Sequence, residues 1–431
     1  MGAIANVLLG AASAAAAARA APLPPDPARP GYHYTRPYGW QNDPVPYRDA
    51  AGVYHLFPLC DPNATTQWKL PSDHSAWCHA TSTDMATSWT THRPALMTGP
   101  WPGGRGVGGT GNVITRLPES EQRRLNATSA IVTGGAFMWL SSDPSLMTWR
   151  SGGGLFAAGA DGPAASSHPA PGVVYCGDVH VYQHNGWRVA GAGSDGACMD
   201  AANTTIRPKV LIYEADHLQY GGWRYVSTLY TGDAGDGPRV ECPTYFSIGS
   251  TAVLLFSKTG APGHATHGTY WATGTEDASG VMSVQKHGAQ QHGGYANEAF
   301  EDVQNSRWIV YSWLQVQGTT SCSNSFHRRL SPCWVGAQSL PRVVSLQSDG
   351  SLKFPVAVSS TLCSAENSRL EAAERSVGPQ PEMEKLLGTA TMQSHSFRSA
   401  SGLQKVSLGS TGVQARLSVS VSGVTKPTNS R

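Results

Sequence analysis

Between residues 31 and 345 the apolar positions fall in short runs: Val53 to Leu59, Val173 to Tyr182, Val210 to Glu214, Ala252 to Ser257 and Trp308 to Leu314. These runs are rich in β-branched and aromatic residues and are bounded by Gly, Pro, Asp or Asn, so each predicts a strand closed by a turn. No stretch sustains the i, i+3, i+4 pattern that predicts an amphipathic helix. Many short strands imply an all-β chain, built as a sandwich, a barrel or a propeller, and about 315 residues is large for one sandwich. Five units of about 63 residues would each hold a four-stranded blade with long loops.

The flanks of this region read differently. Residues 151–172, rich in Gly, Ala, Ser and Pro, predict a long loop within it. After the polar segment Ser364 to Glu384, Val413, Ala415, Leu417, Val419 and Val421 alternate with polar residues, which predicts one half-buried strand in need of partners. The sequence stops eight residues after Gly423, so 355–431 reads as a curtailed sandwich domain. At the other end, the apolar, alanine-rich residues 3–20 close on Ala18-Arg19-Ala20, the small-x-small form of a signal-peptidase site, and predict a leader over 1–20 and a secreted protein. The run is too short to span a bilayer, and no membrane partner is expected. Prolines 22, 24, 25, 27 and 30 predict a stiff spacer over 21–30, and the sequons at Asn63, Asn126 and Asn203 fit an exported glycoprotein.

Charge narrows the function classes. Lys plus Arg (31) nearly balances Asp plus Glu (29), and charged residues make up only 14% of the chain, so nothing suggests a nucleic-acid partner. The 13 tryptophans offer flat faces suited to sugar rings as well as to a core. Eight cysteines permit some disulfides after export, with Cys322 and Cys333 the best candidate pair; without any Cys-x-x-Cys, no structural zinc site is predicted. His264 and His267 read as a solvated pair. Gly106 to Gly111 matches the glycine spacing of dinucleotide loops, yet Pro100 and Pro102 precede it and a β-like Asn112 to Leu117 follows, where that motif needs a strand before and a helix after. A P-loop lysine and a Gly-x-Ser-x-Gly elbow are absent.

Three acidic positions remain: Asp43 in Trp40-Gln41-Asn42-Asp43-Pro44, Asp178 in Tyr175-Cys176-Gly177-Asp178-Val179, and Glu241 in Val240-Glu241-Cys242-Pro243. Glycoside cleavage needs one carboxylate to attack or stabilise an oxocarbenium-like centre and one carboxylic acid to protonate the leaving oxygen. Carboxyls drawn from separate elements can sit in different environments and so differ in acidity.

These residues resemble glycoside hydrolase family 32, the invertases, inulinases, levanases and related fructosyltransferases. Trp40 to Pro44 is similar to its Trp-Met-Asn-Asp-Pro motif. Tyr54 to Phe57, Asp61-Pro62, Trp77 to Ala80, Ser82 to Met85, Trp89 and Pro94 to Leu96 follow its first blade in order and approximate spacing. Gly109-Thr110-Gly111 stands at its Ser-Gly-Ser type loop, Gly177-Asp178-Val179 at its Arg-Asp-Pro and Glu241-Cys242-Pro243 at its Glu-Cys-Pro. Tyr295 to Leu314 resembles its closing blade, and Leu340-Pro341-Arg342 with Asp349-Gly350 its exit. The resemblance implies a five-bladed β-propeller over 31–345, a funnel-shaped pocket at its axis and a following β-sandwich. It implies Asp43 as nucleophile toward a fructosyl unit of sucrose or a small fructan, Glu241 as general acid then base, and Asp178 as transition-state stabiliser. Crowding of like charges would help Glu241 hold its proton. Asn42, Trp77, Thr110 and Trp313 would contact the sugar, and no metal or organic cofactor would be needed. Transfer to a sugar acceptor would use the same carboxylates; a carbohydrate-binding propeller without turnover is the reading from another class. The chain departs from the family at Gly177, where an arginine is usual, at Leu59 in place of a glutamine, and at Val45-Pro46 in place of Asn-Gly; Arg105 and His180 are the candidate replacements.

Overall fold

In a computed structural model, residues 33–37, 39–61, 76–85, 88–97, 109–156, 173–196, 198, 205–219, 221–233, 236–260, 268–278, 280–290, 294–317 and 334–357 are described. The six central residues of the strand Thr251–Lys258 are all buried, because hydrogen-bonded strands flank it and neighbouring sheets cover its faces. That environment suits its Val, Leu and Phe side chains. The same reasoning repeats along an all-β, propeller-like chain.

Four antiparallel four-stranded sheets form. The first holds Pro46–Arg48, Tyr54–Leu56, Ala80–Ser82 and Thr90–Thr91; the second holds Asn112–Ile114, Ser129–Thr133, Phe137–Ser141 and Arg150–Gly154. The third holds Val174–Gln183, Trp187–Ser194, Pro208–Ala215 and Arg224–Thr231; the fourth holds Val240–Ile248, Thr251–Lys258, Gly268–Glu276 and Met282–Ala289. An eight-stranded sheet joins Tyr295–Asp302, Arg307–Gln317 and Trp334–Gln338 to Gly39–Gln41, Leu59–Asp61, Ala76–Trp77 and Leu96–Met97, with Arg342–Val343 on the side of Arg307–Gln317. Its junction is a parallel pairing of Gly39 with Trp334 and Trp40 with Val335, so strands from opposite ends of the described chain close on each other. The first strand of each four-stranded sheet, together with Tyr295–Asp302, makes a closed circuit of contacts.

Packing between sheets is aromatic and ionic by turns. Phe246 of the fourth sheet stacks on Trp308 of the eight-stranded sheet with ring centres 3.8 Å apart, and Arg188 of the third sheet reaches Glu276 of the fourth at 2.6 Å. In the first sheet, His55 Nδ1 and His79 Nε2 share a hydrogen bond of 2.9 Å, and Phe57 stacks on His79. Burial pushes His79 down to about 2 and also lowers His55. Both rings are therefore neutral in the fold but gain protons in the unfolded chain below about pH 6.5. Their contribution is complete above that pH and is lost as pH falls, by about 1.4 kcal/mol per pH unit for each proton taken up. Calorimetry between pH 7 and 4 should show the melting temperature falling, and His79→Gln should flatten that slope.

Some expectations need correction, and others fall outside the described residues. The run Val53 to Leu59 is interrupted at Phe57-Pro58 and splits into strands of different sheets, since proline lacks a ladder donor. A helix, Glu119–Leu125, forms where none was predicted; seven residues are too few to show a stripe, and only Glu121 is buried, held by Arg124 and by His217 at 2.8 Å. Residues 151–154 belong to a strand, and 157–172 lie outside the described residues. So do 1–32, Asn63, Asn203, Arg105, His264, His267, Cys322, Cys333 and all of 358–431. Asn126 is exposed just after the helix. The described disulfides, Cys60–Cys78 and Cys176–Cys198, were not visible in the sequence, and Cys242 is a buried free thiol. After Gly111 comes the strand Asn112–Ile114, which confirms that the glycine run does not open a helix. No helix among the described residues is long and apolar enough to cross a membrane.

Candidate active site

The closed circuit of first strands determines what meets at its centre. Asp43 lies just before Pro46–Arg48, Thr110 just before Asn112–Ile114, Asp178 inside Val174–Gln183, Glu241 inside Val240–Ile248, and Tyr295 opens Tyr295–Asp302. Three of these strands bulge at the same level. Their registers shift between Tyr175 and Val179, between Glu241 and Thr244, and between Tyr295 and Glu298. Each bulge holds one positive-φ residue: Gly177 at 119°, Cys242 at 50° and Ala296 at 51°. An extra residue bends the strand and re-aims the neighbouring side chain, and strained non-glycine backbone of this kind persists only where the surroundings hold it.

Asp43 and Asp178 are brought together by two shared neighbours. The Thr110 hydroxyl donates to Asp43 Oδ2, and the Thr110 backbone N–H donates to Asp178 Oδ1 at 2.9 Å. The Cys242 backbone N–H donates to Asp178 Oδ2 at 3.1 Å, while the Cys242 thiol lies 3.7 Å from Oδ2 of both aspartates. Glu241 is held separately: Arg239 donates to Oε1 through Nε at 3.0 Å and Nη2 at 2.6 Å, and the Tyr295 hydroxyl donates to Oε2 at 2.6 Å. Beneath them Glu298, only 2% exposed, accepts from Thr244 Oγ1 at 2.8 Å.

Burial dominates the electrostatics. It pushes Asp43 up to about 8, assisted by the charge of Asp178 and opposed by the Thr110 hydroxyl. It also raises Asp178, together with the charge of Glu241 and against that of Arg239. Glu298 is driven well above the usual carboxylate range, which makes it a neutral acid under the site. Like charges thus crowd Asp43 and Asp178. Among the described residues no three His, Cys, Asp or Glu side chains are grouped as metal ligands.

The other expected sugar contacts fare unequally. Trp313 packs with Cys242, Tyr295 and Ala296, meets Trp40 edge-on with ring centres 6.2 Å apart, and finds no protein acceptor for its Nε1. Asn42 is pinned through its backbone, its N–H donating to Leu59 O and its carbonyl accepting from Gln338 Nε2, while its side-chain Oδ1 has no protein partner. Thr110 is fully buried, so it bridges the aspartates instead of offering a surface. Trp77 is likewise fully buried and packs with Val45, Phe57, Leu59 and Leu96. Its place here is in the core, and the departures Val45 and Leu59 belong to that same apolar cluster. His180 is no stand-in for an arginine: it lies in the third sheet, stacked with Tyr182, accepting from the Tyr245 N–H. Arg239, Tyr295 and Glu298 were missed in the sequence. For Arg239 a signal existed, since it stands two residues before Glu241 on an extended segment and so shares its face.

A match of residues 33–354 to the glycosyl hydrolases family 32 N-terminal domain decides the family. The chain belongs to glycosyl hydrolase family 32. The insoluble β-fructofuranosidase isoenzyme CWINV1 of Arabidopsis thaliana is 25% identical in an alignment that covers 77% of this chain and 56% of that protein. The fructan 6-exohydrolase of Triticum aestivum is 26% identical over 75% of this chain and 55% of its own length. The sucrose-6-phosphate hydrolase of Escherichia coli is 26% identical over 76% and 64%. The chain thus spans little more than half the length of the first two. Among solved structures, fructan 1-exohydrolase IIa from Cichorium intybus shares the fold with a TM-score of 0.55 at 20% identity, covering 78% of this chain and 61% of that one. The Bombyx mori β-fructofuranosidase BmSUC1 does so with a TM-score of 0.54 at 18% identity, covering 78% and 66%.

Proposed function

We propose that this family 32 chain is a secreted, retaining β-fructofuranosidase that removes terminal fructosyl units from sucrose or small fructans. The observation that carries the reading is the meeting of Asp43 and Asp178 on Thr110 and Cys242, with Glu241 the next residue along. In the first step Asp43 attacks the anomeric carbon as the bond to the leaving oxygen breaks and Glu241 gives that oxygen its proton. In the second, Glu241 takes a proton from water, which attacks the same carbon and frees Asp43. Asp178, fixed by two backbone N–H groups, holds negative charge beside the oxocarbenium-like centre. Asp43 attacks in its ionised form, which the Thr110 hydroxyl favours against the burial that holds the proton on it.

The circuit of five first strands supports a five-bladed propeller, its fifth blade lying within the eight-stranded sheet. The alanine-rich composition of residues 3–20 and the exposed sequon residue Asn126 support secretion. The names of the Arabidopsis and wheat relatives support a fructosyl substrate. Purified protein should release fructose from sucrose or inulin, and Asp43→Ala and Glu241→Ala should each suppress that release. Activity that survives both changes, or no release by the wild type, overturns the assignment.

A further inference from the structure

Gly177 leaves the expected arginine position before Asp178 without a side chain. A Cβ built there meets nothing within 4 Å, so space is not the obstacle; the backbone is, because φ is 119° in the bulge, a conformation that favours glycine. A guanidinium nevertheless reaches the site from the neighbouring sheet. Arg239 and Glu241 are two apart, on the same side of one extended segment, with side chains only 22% and 19% exposed. Two N–H groups of a planar fork on Oε1 and the Tyr295 phenol on Oε2 leave the carboxylate a single orientation. The titratable groups around it are Arg239 on its own segment, Tyr295 and Glu298 from Tyr295–Asp302, Asp178 from Val174–Gln183, and Asp43 with the Cys242 thiol. Within this group of acids the guanidinium charge also favours the ionised form of Asp178.

We propose that Arg239 is the positioning residue of Glu241, supplying from just before the glutamate's strand the fork and the charge that Gly177 cannot carry. The inference rests on the glycosidase reading of Glu241. Arg239→Met should lower kcat for sucrose about 10²-fold while changing KM much less, because the acid is no longer aimed at the leaving oxygen. Its kcat/KM profile should move to higher pH, since the carboxyls lose their neighbouring cation. A crystal structure of Arg239→Met should show the Glu241 carboxyl turned away from its present place. Arg239→Lys, which keeps the charge without the fork, should keep the wild-type pH profile and still lose about tenfold in kcat. Wild-type kcat and pH profile in Arg239→Met, or an unmoved Glu241 in its crystals, overturns the proposal. Should Arg239→Met fail to fold, Arg239→Lys decides alone, and wild-type kcat there overturns it. A wild type that releases no fructose would sink the glycosidase reading only; the position of Glu241 in the variant crystal still judges Arg239.

Discussion

Asp43→Asn protein should release fructose more than about 10³-fold more slowly than wild type and should melt at a higher temperature. The loss follows from the proposed chemistry, since an amide cannot form the fructosyl ester. The gain follows from burial. Asp43 is pushed up to about 8 in the fold, whereas an unfolded chain ionises it near the ordinary value of 3.8. Below that ordinary value both states hold the proton and no penalty exists. As pH rises, the unfolded chain releases the proton while the fold retains it, so stability is lost progressively up to about pH 8, at about 1.4 kcal/mol per pH unit. Asparagine cannot ionise and removes the penalty. Calorimetry at pH 5 to 8 should therefore show a gap between variant and wild type that widens with pH. A constant gap would show that Asp43 is not held neutral.

Gly336→Ala should lower the melting temperature by about 5–15 °C, through backbone strain and overpacking together. Gly336 sits at the junction of the eight-stranded sheet with φ of 82°, and its carbonyl accepts from Gln41 Nε2 at 3.0 Å. A Cβ there would lie 2.0 Å from Gln41 O and 2.8 Å from Trp313 Nε1. Neither neighbour can retreat cheaply, because Gln41 leads directly to Asn42 and Asp43, and Trp313 packs on Trp40 and Tyr295. Activity measured well below the melting point should fall as well. A wild-type melting temperature would mean that the junction has slack the structure does not show.

The motifs made the carboxylates legible because each lies in a short local signature beside a turn or bulge. Most strands were legible too, since apolar runs such as Ala252 to Ser257 need only local pattern. What escaped was set by tertiary placement. Whether Trp77 stacks on a sugar or fills a core depends on Val45 and Leu59 lying against it, and a period-2 pattern carries no such information. Cys176 and Cys198 pair because two segments of the third sheet region meet, which no spacing rule predicts. Glu298 sits in an ordinary-looking strand, and nothing in its local pattern marks it as buried. That Arg239 and Tyr295 hold the glutamate, while Asp43 has a hydroxyl and a thiol for company, is likewise set by tertiary placement.

The parallel junction at Gly39 and Trp334 also bears on biosynthesis. Gln41 finds Gly336 only 295 positions later, so on the ribosome the segment bearing Asp43 emerges early and must wait about 15–60 s at ordinary elongation rates for its partner strand. During that interval the nascent polypeptide would carry Asp43 without the closing strand that completes its surroundings.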